Sequence, residues 1–287
     1  MLTPQWTHEF FPTNGITLHC VTQGQGDLML MLHGFPECWY SWRHQIPEFA
    51  QQYRVMAPDL RGYNESDKPQ GVAAYQMSEL VKDVEGLVHR AGYDRCILVG
   101  HDWGGAIAWY VADACPDLVE RLIVMNLPHP AKFAAGLRSP QQLLRSWYMF
   151  FFQIPWLPEW LISLNDYEAI ASAFLDMAVD KSAFSPADIE FYKDVAAKRG
   201  GLTAMLNYYR NLIQQPSQFL NRQWRVIDIP TLLIWGENDA ALGIELTYGT
   251  DQYVSNLDIC YIPHCSHWVQ QEQPQQVNQA MWDFLKS

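Results

Sequence analysis

Short apolar runs near the start of the chain have the composition and spacing of β-strands. The run Leu28–Leu32 is continuously apolar, as strands buried on both faces of a sheet usually are. Two earlier runs, Thr7–Phe11 and Ile16–Thr22, are separated by a Pro-Thr-Asn-Gly turn signal. We therefore predict that the chain begins with two strands joined by a turn and then enters a buried sheet.

Strand and helix patterns then alternate, which is typical of a mostly parallel sheet with helices on both sides. Before Pro130, strand patterns cover Tyr53–Ala57, Cys96–Val99 and Arg121–Met125, and helix patterns cover Ser78–Arg90 and Trp103–Cys115. Near the C-terminus, strand patterns cover Thr231–Trp235 and Leu257–Tyr261, and the last helix pattern covers Pro274–Phe284. The predicted fold class is therefore α/β.

The alternation stops between about Pro130 and Pro216, where only helix-like stretches occur, rich in aromatic residues and containing several prolines. Two independent domains in series would leave the C-terminal strands without a sheet to join. We therefore expect a helical block inserted into one sheet domain. Residues 1–129 and 217–287 would form the α/β core, and residues 130–216 would form a helical cap.

Composition and charge narrow the classes of function. The chain has 287 residues and a net charge of −12, which argues against a nucleic-acid partner because such partners select basic surfaces. It contains no apolar run long enough to span a membrane, and its first residues lack the pattern of a signal peptide. The six cysteines show no metal-ligand spacing, so we expect reduced thiols in a cytoplasmic protein.

The clearest chemical pattern lies in the stretch Cys96–Ala108, where an apolar strand runs through a glycine-rich turn into a helix. Gly100, Gly104 and Gly105 surround Asp102, and a sharp strand-to-helix turn needs small residues in these places. Turns of this kind usually carry a nucleophilic serine at the apex. Here the apex residue is Asp102. A helix-capping role would explain an aspartate but not the flanking glycines.

An aspartate nucleophile predicts attack on a saturated carbon. A serine that attacked such a carbon would form an ether, which water does not readily cleave. A carboxylate instead forms an alkyl ester, whose own carbonyl carbon water can attack. The presence of Asp102 therefore predicts that the substrate is an epoxide or an alkyl halide.

Hydrolysis of a buried ester needs a water activated by a histidine that a carboxylate orients. The strand pattern Thr231–Trp235 leads into Gly-Glu-Asn-Asp, which places Asp239 at the carboxyl end of the sheet, where ligands bind in such folds. Glu237 lies in the same loop and is its local rival. An acid after the strand that ends at Met125 is excluded, because that position holds Asn126.

Motifs along nearly the whole chain resemble those of the epoxide hydrolases of the α/β-hydrolase superfamily. The matching segments are His33-Gly-Phe-Pro-Glu, Trp39-Tyr-Ser-Trp-Arg, Asp59-Leu-Arg-Gly-Tyr, Gly100-His-Asp-Trp-Gly-Gly and Pro263-His-Cys-Ser-His-Trp. Residue chemistry alone leaves both His264 and His267 as candidates for the base. The resemblance selects His267, since the catalytic histidine of the family directly precedes a tryptophan. The chain order nucleophile, acid, histidine is also that of the superfamily.

The resemblance further implies an oxyanion hole and two tyrosine donors. Carried over from the family, the backbone N–H groups of Phe35 and Trp103 would hold the ester oxyanion, and both side chains would line the substrate pocket. The segments Tyr148-Met-Phe-Phe-Phe-Gln and Leu206-Asn-Tyr-Tyr209-Arg-Asn match those whose tyrosines donate hydrogen bonds to the epoxide oxygen. Tyr148 and Tyr209 would therefore act as acids in ring opening.

Helical spacing predicts apolar surroundings for both tyrosine hydroxyls. We expect Tyr148 to share a helix face with Leu144, Phe151 and Phe152. The corresponding neighbours of Tyr209 are Met205, Leu206, Leu212 and Ile213. Because tyrosine has a reference pKa of about 10, both hydroxyls are expected to remain donors at neutral pH.

We therefore predict a hydrolase without a cofactor or metal that converts a small, neutral, largely apolar epoxide to a vicinal diol. Asp102 would form the ester, and His267 with Asp239 would hydrolyse it. The first alternative is a haloalkane or haloacid dehalogenase of the same fold, which would not need Tyr148 and Tyr209. A receptor-like member of the superfamily would be expected to lose the nucleophile or the base, and this chain has both. We expect a monomer or a homodimer.

Overall fold

A computed structural model describes residues 6–216, 220 and 222–287. Eight strands form one sheet in the order β1-β2-β4-β3-β5-β6-β7-β8. The strands are β1 Thr7–Thr13, β2 Ile16–Gln23, β3 Leu28–Leu32, β4 Arg54–Pro58, β5 Cys96–His101, β6 Val119–Met125, β7 Thr231–Gly236 and β8 Leu257–Ile262. The pairs β1–β2 and β2–β4 are antiparallel, and every other neighbouring pair is parallel. The mostly parallel α/β sheet is thus confirmed.

Helices cover both faces of this sheet and fill the interval between β6 and β7. The α-helices are α1 Gln45–Phe49, α2 Met77–Arg90, α3 Trp103–Ala114, α4 Pro130–Gly136, α5 Pro140–Arg145, α6 Trp147–Phe151, α7 Leu157–Leu175, α8 Pro186–Ala197, α9 Gly201–Gln214, α10 Val269–Glu272 and α11 Pro274–Lys286. Short 3₁₀ turns occur at Trp39–Trp42, Val72–Tyr75, Pro116–Leu118, Lys181–Ala183, Ile244–Thr247 and Thr250–Gln252. None of the helices among the described residues is long and apolar enough to cross a bilayer.

The hydrophobic core lies on both sides of the central strands. All residues of β3, β5 and β7 are buried, which agrees with their continuously apolar sequences. The amphipathic helix α2 turns Leu80, Val84 and Leu87 toward this sheet and leaves its charged face in water. Observed strand and helix ends lie within two residues of the predicted ends, and β3 matches its predicted ends.

The stretch predicted to be helical is helical throughout. Between Pro130 and Gln214 the chain forms α4–α9 and one 3₁₀ turn, with no strand. Helix α7 is interrupted at Leu164–Tyr167, where three successive residues have left-handed backbone angles. The division into a core and a cap of residues 130–216 stays a prediction, and its boundary adjoins residues 217–219, which lie outside the described residues. We refer to α4–α9 as the helical insertion.

One predicted helix face is wrong. Leu144 and Tyr148 do not share a helix, because Ser146 has φ −91° and ψ 14° and separates α5 from α6. Leu144 is consequently 74% exposed. Phe152, in contrast, is buried beside Tyr148, with a distance of 5.7 Å between their ring centroids. The predicted neighbours of Tyr209 do share α9 with it, and Met205 and Leu206 are fully buried.

Candidate active site

The turn between β5 and α3 presents Asp102 at the carboxyl edge of the sheet. Asp102 has φ 48°, in the left-handed region that non-glycine residues seldom adopt. The turn is also crowded, since a Cβ at Gly104 would lie 2.1 Å from the Leu32 carbonyl oxygen. A Cβ at Gly34 would lie 2.4 Å from the Asp102 Cβ. The glycines in both motifs are therefore required by close approach.

The loop after β3 meets the Asp102 carboxylate from one side. The Phe35 backbone N–H donates a hydrogen bond to Asp102 Oδ1 at 2.8 Å. Trp103 is the first residue of α3, where backbone N–H groups have no acceptor within their own helix. The two predicted oxyanion donors thus flank Asp102, the predicted nucleophile, and the N-terminal end of α3 favours negative charge there.

His267 lies between the two carboxylates that the sequence analysis singled out. Its Nδ1 is 2.7 Å from Asp239 Oδ2, and its Nε2 is 3.6 Å from Asp102 Oδ2. A carboxylate only accepts hydrogen bonds, so Nδ1 carries a proton and Nε2 faces Asp102. Although burial disfavours the imidazolium, Asp239 and Asp102 together raise the pKa of His267 well above its ordinary value.

Asp239 is held by donors on both of its oxygens. Its Oδ1 accepts hydrogen bonds from the backbone N–H groups of Ala241 (2.8 Å) and Leu242 (2.9 Å). Its Oδ2 accepts from the Asn126 side chain at 2.8 Å and also from His267. Burial opposes ionisation, but His267 and these donors hold the pKa of Asp239 below its ordinary value. The residue is therefore a fixed, charged partner for the histidine.

The two local rivals lie apart from this arrangement. Glu237 and His264 are exposed to solvent, whereas Asp239 and His267 are buried. Asn126, which the sequence analysis used only to exclude an acid, supports Asp239 directly. It also accepts a hydrogen bond from the Gly236 backbone N–H at 2.9 Å and so joins the ends of β6 and β7.

The two tyrosines reach the site from the helical insertion, Tyr148 from α6 and Tyr209 from α9. Their ring centroids are 5.7 Å apart at an angle of 80°. Tyr209 also contacts the rings of Phe35 and Trp103, with centroid distances of 5.3 and 5.0 Å. Burial, followed by the negative charge of Asp102, raises the pKa of each tyrosine far above its ordinary value. Both hydroxyls therefore stay protonated and can donate.

Two cavities of unequal size meet at Asp102, Tyr148 and Tyr209. The larger has a volume of about 570 Å³ and is lined on its far side by Phe151, Phe152, Ile162, Ile170 and Met177. The smaller has a volume of about 70 Å³ and is lined by Met77, Ala106, Phe133, Met149 and Leu212. The reacting groups are thus flanked by two mainly apolar spaces.

Comparison with known proteins gives the family to which the chain belongs. Residues 27–274 match the family model for the alpha/beta hydrolase fold. Epoxide hydrolase 4 of Homo sapiens is 42% identical over 95% of this chain and 76% of the relative. Epoxide hydrolase 3 of Xenopus tropicalis is 44% identical, again over 95% of this chain and 76% of the relative. The chain belongs to the epoxide hydrolases.

Solved structures support the same assignment. An epoxide hydrolase from Bacillus megaterium, crystallised with an inhibitor, superposes with a TM-score of 0.91 at 37% identity, covering 97% of this chain and 100% of the other. Epoxide hydrolase VrEH1 from Vigna radiata superposes with a TM-score of 0.87 at 28% identity, covering 100% and 99%. The predicted family, fold and hydrolase class are therefore confirmed, whereas the roles of single residues remain predictions.

This epoxide hydrolase has a buried pair next to the site that the sequence analysis did not single out. Glu37 lies 2.8 Å from His101 Nδ1, and both side chains are fully buried. His101 Nε2 donates to the His267 carbonyl oxygen at 2.8 Å. Although burial opposes ionisation, His101 and other donors hold the pKa of Glu37 below its ordinary value. Through the hydrogen bond from His101, the pair therefore holds the backbone of the loop that carries His267.

The loop that carries His267 is also attached to the helical insertion. Glu272 Oε2 accepts hydrogen bonds from the backbone N–H groups of Val179 and Asp180, both at 2.9 Å. Glu272 Oε1 accepts from the backbone N–H of Ser266 at 3.2 Å and from its hydroxyl. One buried carboxylate therefore joins the residue before His267 to the segment that follows α7.

The residues that support the His267 loop come from distant parts of the chain: Glu37, His101 and Glu272. Only Glu37 and His101 lie in the motifs named in the sequence analysis. In the described ranges 6–216, 220 and 222–287, no group of three or more His, Cys, Asp or Glu side chains is arranged to hold a metal ion.

Proposed function

We propose that this protein converts an epoxide to a vicinal diol through a covalent ester on Asp102. The observation that supports the proposal is that Tyr148 and Tyr209, whose raised pKa values keep the hydroxyls protonated, line the same two cavities as Asp102. A carboxylate can displace oxygen from a saturated carbon, and the departing alkoxide needs a proton donor.

In the first step an Asp102 carboxylate oxygen attacks an epoxide carbon, and the ring C–O bond breaks. Hydrogen bonds from Tyr148 and Tyr209 stabilise the developing alkoxide, which then takes a proton from one of them. Tyr209 is buried and Tyr148 is partly buried, and in a low-dielectric environment such donors act more strongly than in water. The product of this step is a hydroxyalkyl ester of Asp102.

In the second step His267 Nε2 takes a proton from water, and the hydroxide attacks the Asp102 carboxyl carbon. Asp239 stabilises the imidazolium that forms, as its 2.7 Å contact with Nδ1 allows. The Phe35 and Trp103 N–H groups bind the tetrahedral oxyanion. Collapse breaks the bond between the Asp102 carboxyl carbon and the diol oxygen, which receives the proton from His267. The second proton of the attacking water, left on the Asp102 carboxyl, returns to the tyrosinate formed in the first step, which restores both the carboxylate and the tyrosine hydroxyl.

The unequal cavities favour an epoxide with one large and one small apolar substituent. A large group fits the 570 Å³ space, and a short chain fits the 70 Å³ space on the other side of the reacting groups. The Asp102 carboxylate lines both cavities, so an anionic substituent would be repelled. Residues 130–216 would serve as the lid of this site, since they supply both tyrosines.

The dehalogenase alternative shares Asp102, Asp239 and His267, so the substrate must decide between the two reactions. The experiment is to incubate the purified protein with a series of terminal, disubstituted and aryl epoxides, and separately with haloalkanes and haloacids, and to measure diol and halide. We expect diol from the epoxides and no halide. The control is Asp102→Asn, in which the nucleophile is lost. Halide release without diol formation would overturn the proposal.

A further inference from the structure

Part of the helical insertion exposes an unusual number of large apolar side chains. Nine of the sixteen large hydrophobic side chains that are exposed in the described part of the chain lie between Leu143 and Leu164. We call the most exposed of them the rim patch, defined by Leu144, Trp147, Phe150, Trp156 and Trp160, whose exposed fractions run from 49% to 74%. Soluble monomers rarely expose apolar clusters of this kind unless the cluster binds something.

One member of the rim patch, Trp147, lies where the larger cavity meets solvent. It lines that cavity and is 62% exposed, and the nearby Leu161 lines the cavity and is 39% exposed. Arg145 and Phe151, two and four positions from Trp147, line the same cavity. A side chain that contacts both the cavity and the solvent stands at the cavity mouth. The segment that carries the rim patch therefore contributes to an entrance to the site.

The segment Leu143–Leu164, which carries the rim patch, has no net charge, although the whole chain has a net charge of −12. Between Leu143 and Leu164 the sequence contains two charged residues, Arg145 and Glu159. Arg145 pairs with Glu245 at 3.4 Å, and Glu159 pairs with Arg210 at 2.7 Å. A neutral apolar surface complements this patch, whereas an anionic surface would repel the acidic remainder of the protein.

The side chains themselves indicate the kind of surface. Trp147, Trp156 and Trp160 combine a large apolar ring with an N–H donor, and tryptophan is enriched where lipid meets water for that reason. A second copy of the chain bound here would cover the cavity mouth, whereas a lipid layer would contain apolar epoxides and supply them to it. We propose that the rim patch docks onto a neutral, zwitterionic lipid surface. The inference that lipid supplies the substrate rests on the proposed function, whereas the inference that the rim patch docks onto lipid does not.

The test is sedimentation of the whole protein with phosphatidylcholine vesicles. The variant Leu144→Gln/Trp156→Asn/Trp160→Gln removes three patch side chains that do not line the substrate cavities. Asparagine is used at position 156 because the backbone φ there is 54°, which asparagine tolerates. Each large apolar side chain withdrawn from water contributes a factor of about ten, so partial burial of three predicts a loss of about a hundredfold in vesicle affinity.

The matched control is Phe10→Gln/Val226→Asn/Tyr248→Gln, which removes three side chains of similar exposure, 58% to 60%, outside the patch. This control should bind vesicles like the unaltered protein, and both variants should turn over a small water-soluble epoxide at the normal rate. Adding anionic lipid should weaken binding.

Three results would overturn the proposal. The first is that the unaltered protein does not bind phosphatidylcholine vesicles. The second is that the patch variant binds them as strongly as the unaltered protein does. The third is dimerisation through the patch without vesicle binding, measured by sedimentation velocity. Because binding is measured without an epoxide, it can succeed or fail independently of the diol assay.

Discussion

Replacing Tyr148 or Tyr209 by phenylalanine removes one hydroxyl and leaves the ring contacts in place. Loss of one preorganised donor to a developing oxyanion typically costs about 2.7–4 kcal/mol of transition-state stabilisation, so ester formation should slow roughly a hundred- to a thousand-fold. Tyr209 is buried and Tyr148 is partly buried, which limits the replacement of the lost donor by water. The double variant should be nearly inactive, because the alkoxide would form without any donor.

The rate should be followed under single-turnover conditions, with enzyme in excess, so that ester formation is separated from hydrolysis. Tyr208 offers a matched control in the same helix. Its hydroxyl is directed away from Asp102 and donates to the Arg61 carbonyl oxygen at 2.7 Å. Tyr208→Phe should therefore lower the free energy of unfolding by about 1–3 kcal/mol, for the carbonyl left unsatisfied, and leave ester formation within a few-fold.

The reasoning fails if the single variants and the double variant all retain full activity on epoxides. Such a result would remove the tyrosines from the chemistry and favour the dehalogenase alternative. It would also fail if Tyr208→Phe slowed ester formation as much as Tyr209→Phe, since the effect would then come from repacking of α9 rather than from the lost donor.

Three further results are expected. His267→Gln should still form the ester but not hydrolyse it, so mass spectrometry should show an adduct on Asp102. His264 is exposed, and the control His264→Gln should turn over normally. The reverse pattern would identify His264 as the base. A single turnover in ¹⁸O-water should give mostly unlabelled diol and a labelled Asp102, whereas label in the first diol would indicate direct attack by water. Esterification removes the Asp102 charge that helps raise the pKa of His267, so the pKa of His267 should be lower in the ester than in the free enzyme. The rate of ester hydrolysis, measured by stopped flow, should therefore rise with pH through that lower pKa. A rate that fell with rising pH would contradict His267 as the base.

The elements that were predicted well are those whose burial can be recognised from a run of consecutive residues. Strand β3 and the first four residues of β5 are apolar, and the glycines around Asp102 reflect close approaches of the backbone at one turn. The break at Ser146 was missed because nothing in the residue types between Leu144 and Tyr148 forbids one continuous helix. The backbone turns there as part of how the insertion packs over the site.

The site illustrates the same limit. The choice of Asp239 over Glu237 depends on which side chain is turned inward. This follows in part from a donor at Asn126, which lies 113 positions away in the sequence. The pair Glu37–His101 spans 64 positions. Its two residues stand in visible motifs, but their contact depends on the tertiary structure. The sizes of the two cavities likewise depend on packing between distant helices.

The hydrogen bonds of Glu272 have a consequence for the order of events in a catalytic cycle. Val179 and Asp180 are bound to one oxygen of this carboxylate, and Ser266, next to His267, is bound to the other. If the segment after α7 swings outward to release a diol, it must leave Glu272 or pull the carboxylate with it. The histidine loop then loses a restraint at the moment of release. Activation of water by His267 would therefore take place only while the segment after α7 is closed over the site, and not while it is open.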